Sequence, residues 1–241
     1  MKAVRRPKMS NGQTATETHV QLMDKAAMAK VYKRELFMIR EAALGSMLDH
    51  PNIVKLNSAV LGENHFYCFF ELAVGEDLVD HISKNGAINS SLSRKIFRQM
   101  ISAIGMLPVC LPHSPHGTIL TIEYIHRNHI VHRDIKLENI RYDCITGHVK
   151  LLDFGFATFY NENLLNTNCG SPCYAAPEIY DNKPYIGPAS DIWSLGVCLF
   201  GMVTATLPFD GVDFKSLAAR VRSGKFTYHS LVKPGILCFT I

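Results

Sequence analysis

The chain has no long apolar run. Its most hydrophobic stretch, Ile192 to Ala205, is interrupted by Ser194, Gly196, Gly201 and Thr204 and falls short of the roughly 18 apolar residues that a membrane-spanning helix needs. It reads as a buried helix. Lysine and arginine are never gathered into blocks, and the formal net charge is only +4, so neither a nucleic acid nor a membrane surface is expected as a partner. The seven cysteines, Cys68, Cys110, Cys144, Cys169, Cys173, Cys198 and Cys238, are odd in number and lack paired metal-site spacing. They predict reduced thiols, packed mostly as small hydrophobes. Met1 to Thr18 carries basic residues with no apolar stretch behind them, so a secretory signal is not expected, and its Ser, Asn, Gly, Gln and Thr predict a disordered lead. With no export signal, the expected location is cytoplasmic or nuclear. Internal repeats and low-complexity tracts are absent as well.

What is present is an ordinary globular composition, 47% apolar and 19% charged over 241 residues, enough for one large domain or two lobes. One stretch concentrates the chemistry. Ile130-Val-His-Arg-Asp-Ile-Lys-Leu-Glu-Asn139 puts an acid, bases and an amide carbonyl into a short loop, a set suited to phosphoryl transfer. Asp134 can accept a hydroxyl proton, Lys136 can neutralise a transferring phosphate, and Asn139 offers a neutral oxygen to magnesium. Downstream, Leu151-Leu-Asp-Phe-Gly155 delivers a carboxylate and then a glycine, as expected of a second magnesium ligand on a turn after a strand.

His132-Arg-Asp with Asn139, then Asp153-Phe-Gly155, then Ala176-Pro-Glu178 resemble, in that order, the signature set of protein kinases; the likeness runs from Val20 to Tyr228. It implies an α+β, bilobal protein-kinase-like fold: after the lead at 1–18, an incomplete, small, β-rich N-lobe at 19–72 and an incomplete, larger, mainly helical C-lobe at 73–241. It implies ATP and Mg2+ as cofactors, with Asn139 and Asp153 on the metal, Asp134 as the catalytic base and Lys136 at the γ-phosphate. Gly170-Ser-Pro-Cys-Tyr-Ala-Ala-Pro-Glu178 is similar to the calcium/calmodulin-dependent group, AMP-activated kinase relatives especially. Ser171 resembles the hydroxyl that ties this segment to the catalytic acid and, with Lys136, marks a serine/threonine enzyme. Thr167 sits where such kinases are switched on by an upstream activating kinase, with Arg133 to receive the phosphate.

Glu71-Leu-Ala73 resembles the hinge whose backbone binds adenine, with Phe70 guarding the space behind it. Asp77 falls where the family often keeps an acid facing the ribose or a basic substrate residue, a plain helix cap being the equal alternative. Together with Glu138 it implies protein substrates with basic residues near the target hydroxyl. Asp191, opening Asp-Ile-Trp-Ser-Leu-Gly196, resembles the acid that holds the catalytic-loop backbone. Glu178 resembles the acid of a structural ion pair; with no arginine in the apolar tail Gly235 to Ile241, it is expected to be partly buried and unpaired.

Other stretches depart from the family. Gln21 occupies the place of the lysine that grips the nucleotide phosphates, Lys25 reads as a solvated charge, and Met1 to Thr18 holds only Gly12, too little for a glycine-rich phosphate loop. Tyr32 to Leu48 has helical spacing, with Leu36, Ile39, Ala43, Leu44 and Met47 as its apolar residues. Glu41 falls where the lysine's ionic partner belongs, Glu35 reads as a solvated charge, and opposite Gln21 the clamp keeps at best an amide hydrogen bond. Ser93 to Ile104 is amphipathic, and Glu123 to Arg127 reads as the end of the same helix. Between them Gly105 to Ile122, with Pro108, Pro112, Pro115 and Gly117, cannot be helical throughout. It is either a looped-out insertion or a translated intron, with a binding loop as a third reading. Asp213 to Gly224 reads as a further helix. The resulting expectation is a serine/threonine protein kinase domain that transfers the ATP γ-phosphate to protein hydroxyls, weak or inactive because lysine and glycine loop are missing. A pseudokinase-like, non-catalytic interaction module is the alternative, and a small-molecule kinase is disfavoured by Gly170 to Glu178.

Overall fold

The computed structural model describes residues 1–5, 34–62, 65–101, 121–161 and 163–226. Strand β1 (Lys2–Arg5) pairs antiparallel with β3 (His65–Phe70), which pairs on its other side with β2 (Leu56–Leu61). The start of the chain is therefore a strand, where a disordered lead was expected. The reason is pairing: Lys2 and Ala3 lie opposite Cys68 and Tyr67, and Lys2 finds two acidic partners, the buried Glu41 and the exposed Asp153. Along β3 the pleat sends Phe66 and Cys68 inward, where they form a small cluster with Met38 and Ala42 of helix α1 (34–47).

Helix α1 does not bury the stripe that its apolar spacing suggests. Leu36, Ile39 and Met47 are 61%, 44% and 56% exposed, whereas Glu35, Met38, Glu41, Ala42 and Leu44 are buried. Glu35 is thus no solvated charge. The inward face was disguised because two of its residues are acidic. Past Ala42 the helix changes company: Leu44 and the following Leu48 enter the main core with Ile53, Leu78, Ile96, Met100, Ile125 and Leu151.

That main core is mostly helical. Helix α2 (Leu78–Asn85) begins after β4 (Glu76–Asp77), and the Asp77 carboxylate accepts from the Asp80 amide at 2.8 Å, so Asp77 caps the helix. Helix α3 (Ser90–Met100) and helix α4 (Thr121–Arg127) bury Met100, Ile122 and Ile125 in the same core; α3 starts earlier than Ser93 and stops at Met100, where Ile101 is extended (φ −91°, ψ 131°), short of the Ile104 expected. Residues 102–120, which hold most of the Gly105 to Ile122 segment, lie outside the described residues, but Ile122 is core and belongs to α4. The expected interruption therefore ends earlier than Ile122. Helix α5 (Pro177–Tyr180), helix α6 (Gly187–Thr204) and helix α7 (Phe214–Ser223) follow. Helix α7 starts with a capping box between Asp213 and Ser216 and stops at Gly224, φ 61°, as its sequence predicts. Among the described residues no helix is long and apolar enough to cross a membrane.

Two small antiparallel sheets hold the loop between them. Strand β5 (Ile130–Val131) pairs with β8 (Thr158–Phe159), and β6 (Ile140–Tyr142) lies between β4 and β7 (Val149–Leu151). Residues 132–139 run from the end of β5 to the start of β6. Cys68 and Cys198 are buried and Cys144 is exposed, all free, as are the half-buried Cys169 and Cys173. Cys110, Cys238, Gln21, Gly12 and the apolar tail lie outside the described residues. A small sheet with one helix above a larger, mainly helical part is the mixed α and β arrangement expected.

Candidate active site

The loop after β5 is shaped by strained backbone and a buried anchor. Arg133 and Asp153 both sit at positive φ, 64° and 57°, a conformation that costs a non-glycine residue about 1–3 kcal/mol unless its surroundings hold it. For Arg133 the holder is Asp191, which is fully buried. Its carboxylate accepts from the backbone N–H of His132 at 2.9 Å, from that of Arg133 at 2.8 Å, and from His126 Nε2 at 2.8 Å. The first two contacts are those expected of this acid; His126 carried no sequence signal. His132 is also buried. Its Nδ1 accepts from the Asp134 amide, which leaves Nε2 to donate to the Leu152 carbonyl at 3.1 Å, and its ring meets Phe154 edge-on at 4.8 Å.

Around Asp134 the structure gathers the residues that the sequence singled out. Ser171 Oγ donates to Asp134 Oδ1 at 2.8 Å, and Lys136 Nζ lies 2.9 Å from both Ser171 Oγ and Asp134 Oδ2. Asn139 donates its amide N–H groups to the Asp134 carbonyl at 2.8 Å and to Asp134 Oδ2 at 3.2 Å. Gly170 makes the approach of Ser171 possible: it has φ +93°, and a Cβ there would fall 2.3 Å from the Arg133 carbonyl oxygen. Only glycine lets this segment press against the loop.

Asn139 and Asp153 sit at one end of the β6–β7 hairpin, tied by the Leu152 amide donating to the Asn139 carbonyl at 2.8 Å. Asn139 spends its NH2 on Asp134, which turns the amide oxygen to other use, and Asp153 brings a carboxylate. A neutral oxygen and an anionic one are the ligands a small hard cation takes, so the donor set fits Mg2+.

A lysine does pair with Glu41, where none was expected. Lys2 Nζ lies 2.7 Å from Glu41 Oε2 and 2.9 Å from Asp153 Oδ1, so β1, α1 and the turn after β7 meet at one ammonium. Gln21 is not required for this clamp, and Glu41 keeps a charged partner. Burial raises the pKa of Glu41, an effect that Lys2 only partly offsets. For Asp153 burial also pushes upward, but the ammonium outweighs it and holds the carboxyl below its ordinary value. The signal that could have found Lys2 was Lys2-Ala-Val itself, a lysine on a short apolar stretch.

Other sites fall as follows. Glu71 Oε1 accepts from the Lys55 amide and from Lys150 Nζ, at 2.8 and 2.6 Å, and the Ala73 carbonyl accepts from Arg141. The Glu138 carboxylate meets the Tyr174 hydroxyl, whose pKa is raised by burial first and by neighbouring groups second. Thr167 is exposed, its carbonyl accepting from the Tyr185 hydroxyl at 2.9 Å. Glu178 is half-buried on α5. That helix is tied to α7 through Arg222, which reaches Asp181 Oδ1 at 2.7 Å and the Tyr180 carbonyl at 2.9 Å.

The sequence matches the protein kinase domain family over residues 9–108 and 114–232; the break falls inside the Gly105 to Ile122 segment. Serine/threonine-protein kinase SIK2 of Gallus gallus is 38% identical over 214 residues, 88% of this chain and 24% of that protein. NUAK family SNF1-like kinase 2 of Rattus norvegicus is 39% identical over 204 residues, 84% of this chain and 29% of the relative. Serine/threonine-protein kinase ppk25 of Schizosaccharomyces pombe is 39% identical over 194 residues, 80% of this chain and 42% of the relative. The chain thus spans only a part of each of these proteins. With the Asp134, Asn139 and Asp153 geometry and a family match over most of its length, the chain belongs to the protein kinase domain family.

Proposed function

We propose that the chain is the catalytic domain of a serine/threonine protein kinase, transferring the γ-phosphoryl group of ATP to hydroxyls of protein substrates. The observation that carries this reading is the convergence of Ser171, Lys136 and Asn139 on Asp134, beside an Asp153 held by Lys2. Asp134 accepts the proton of the attacking hydroxyl. Ser171 and Asn139 fix its carboxylate, and Lys136 is placed to neutralise charge on the transferring group. Lys2, aligned by Glu41, grips the nucleotide phosphates. Bound through Asn139 and Asp153, Mg2+ supplies charge neutralisation at the phosphate oxygens. With Lys2 in the clamp, this reading departs from the weak or inactive enzyme that the sequence suggests. A preference for basic residues near the target hydroxyl falls to Asp77, since Glu138 is engaged by Tyr174.

The test is Mg2+-dependent transfer of labelled phosphate to a serine/threonine peptide. Activity is expected in the wild type, with a loss of at least about 10³-fold in Asp134→Asn. No transfer and no nucleotide-induced thermal shift in the wild type would favour the non-catalytic binding module.

Regulation by an upstream kinase at Thr167 belongs to the same reading. Cys169, two residues on, feels Arg133 and Arg40 together with Asp134 and Asp191, so a phosphate on Thr167 gains by drawing the two guanidinium groups toward it and away from those carboxylates. Phosphorylation there is expected to raise activity about tenfold or more. Peptide mapping of the active form, with Thr167→Ala as control, checks it; an unmodified Thr167 and a fully active variant would remove the switch.

A further inference from the structure

The hinge and the β6–β7 hairpin meet at two basic side chains that lie outside every motif. Arg141 and Lys150 are cross-strand partners on β6 and β7, so both side chains leave the same face of the hairpin. Both are half-buried, and both reach the hinge. Lys150 Nζ lies 2.6 Å from Glu71 Oε1, and Arg141 Nε donates to the Ala73 carbonyl at 3.3 Å. The hinge has no room to back away from this floor. Gly75 has φ +100°, and a Cβ there would fall 2.1 Å from the carbonyl oxygen of Tyr142, the residue after Arg141.

The same hairpin starts just after Asn139 and runs toward Asp153. A nucleotide with its phosphates at those residues has to lay its base toward Glu71 to Ala73, across Arg141. We infer that Arg141 guards the base subsite: its guanidinium holds the Ala73 carbonyl and has to be displaced when a purine docks, so it sets the affinity for the base. Arginine has only donors, so the guard is relieved by moving the guanidinium off the Ala73 carbonyl. The inference rests on the kinase reading of the cleft and adds to it a determinant of nucleotide affinity.

The wild-type chain and Arg141→Leu are titrated calorimetrically with adenosine, Mg2+–ATP and Mg2+–tripolyphosphate, with melting curves recorded for each form. A hydrogen bond to a charged group typically contributes about ten- to hundredfold in an equilibrium, and the length and partial exposure of this one set the expectation at about tenfold. Adenosine and Mg2+–ATP are therefore expected to bind Arg141→Leu about tenfold more tightly, with tripolyphosphate unchanged. Arg141→Met, which keeps an unbranched chain, is expected to change affinity in the same direction and serves if the leucine variant fails to fold. Equal or weaker purine binding by a folded variant, as a guanidinium stacking on the base would give, overturns the guard and leaves the kinase reading standing. A matching gain for tripolyphosphate also overturns it, because the change would then be a general opening of the cleft. Binding of Mg2+–ATP by neither form overturns the kinase reading and the guard together.

Discussion

Replacing Lys2 by methionine is expected to lower phosphoryl transfer by about 10²–10³-fold, the loss that follows removal of one preorganised electrostatic donor. The single nitrogen bridges Glu41 and Asp153, so its loss releases the Asp153 carboxylate and, on the function proposed above, the grip on the phosphates as well. A stability cost accompanies it. The Glu41 side chain is 3% exposed, and breaking a fully buried pair costs about 3–5 kcal/mol because one charge is left uncompensated. Lys2 is 41% exposed, and solvent screening on its side reduces the expected cost to about 1–2 kcal/mol. The pH dependence has a definite sign. Burial alone would lower the Lys2 pKa, but Glu41 and Asp153 outweigh it and hold the ammonium above its ordinary value of 10.5. A raised amine contributes stability that is fully present below the ordinary lysine pKa and lost as pH climbs through the folded-state value. Urea melts of wild type and Lys2→Met should therefore differ at neutral pH and converge in strong alkali. Equal activity of the two forms would remove Lys2 from the machinery.

The second large effect is at Asp191. Asp191→Ala is expected to destabilise the domain by about 3–5 kcal/mol, since it strands one buried and one part-buried backbone N–H group, each costing about 1–3 kcal/mol when unsatisfied, and removes a partner of His126. That is a large share of the roughly 5–15 kcal/mol by which a domain is stable. At a temperature where the variant is still folded, kcat should fall with little change in KM for ATP, because Arg133 loses what holds its left-handed backbone and carries Asp134 with it. Asp191→Asn keeps one side-chain acceptor and should lose less on both counts. Melting curves beside steady-state kinetics decide it; an alanine variant with wild-type kcat would show that the loop keeps its shape unaided.

The catalytic loop was readable because its chemistry is local: Asp134, Lys136 and Asn139 lie within one short stretch, and Asp153 follows on a turn with its own spelling. Helix α7 was readable for a similar reason, since Asp213 and Gly224 mark its ends by cap chemistry. Lys2 was not. Its partners are 39 and 151 residues away, its strand has 4 residues, and the short Lys2-Ala-Val stretch is too slight a signal to announce an ion pair that only tertiary folding creates. Helix α1 misled for a related reason. Its core-facing side includes the acids Glu35 and Glu41, the second of them turned inward onto Lys2, so hydrophobic spacing selected Leu36, Ile39 and Met47, which face outward. Arg141 and Lys150 were invisible because strand residues between motifs carry no spelling, and only register shows that both reach the hinge.

Helix α1 supplies side chains to the small cluster of Met38, Ala42, Phe66 and Cys68 and also to the large one through Leu44 and its successor Leu48. Burying a large apolar side chain contributes about 1.5–3 kcal/mol, so among the described residues the small cluster by itself cannot offset the roughly 1–2 kcal/mol per residue of backbone entropy lost in ordering its strands. The upper sheet therefore has no independent melting point. It is ordered on credit from the helix below, and heat should take both lobes apart in one cooperative step.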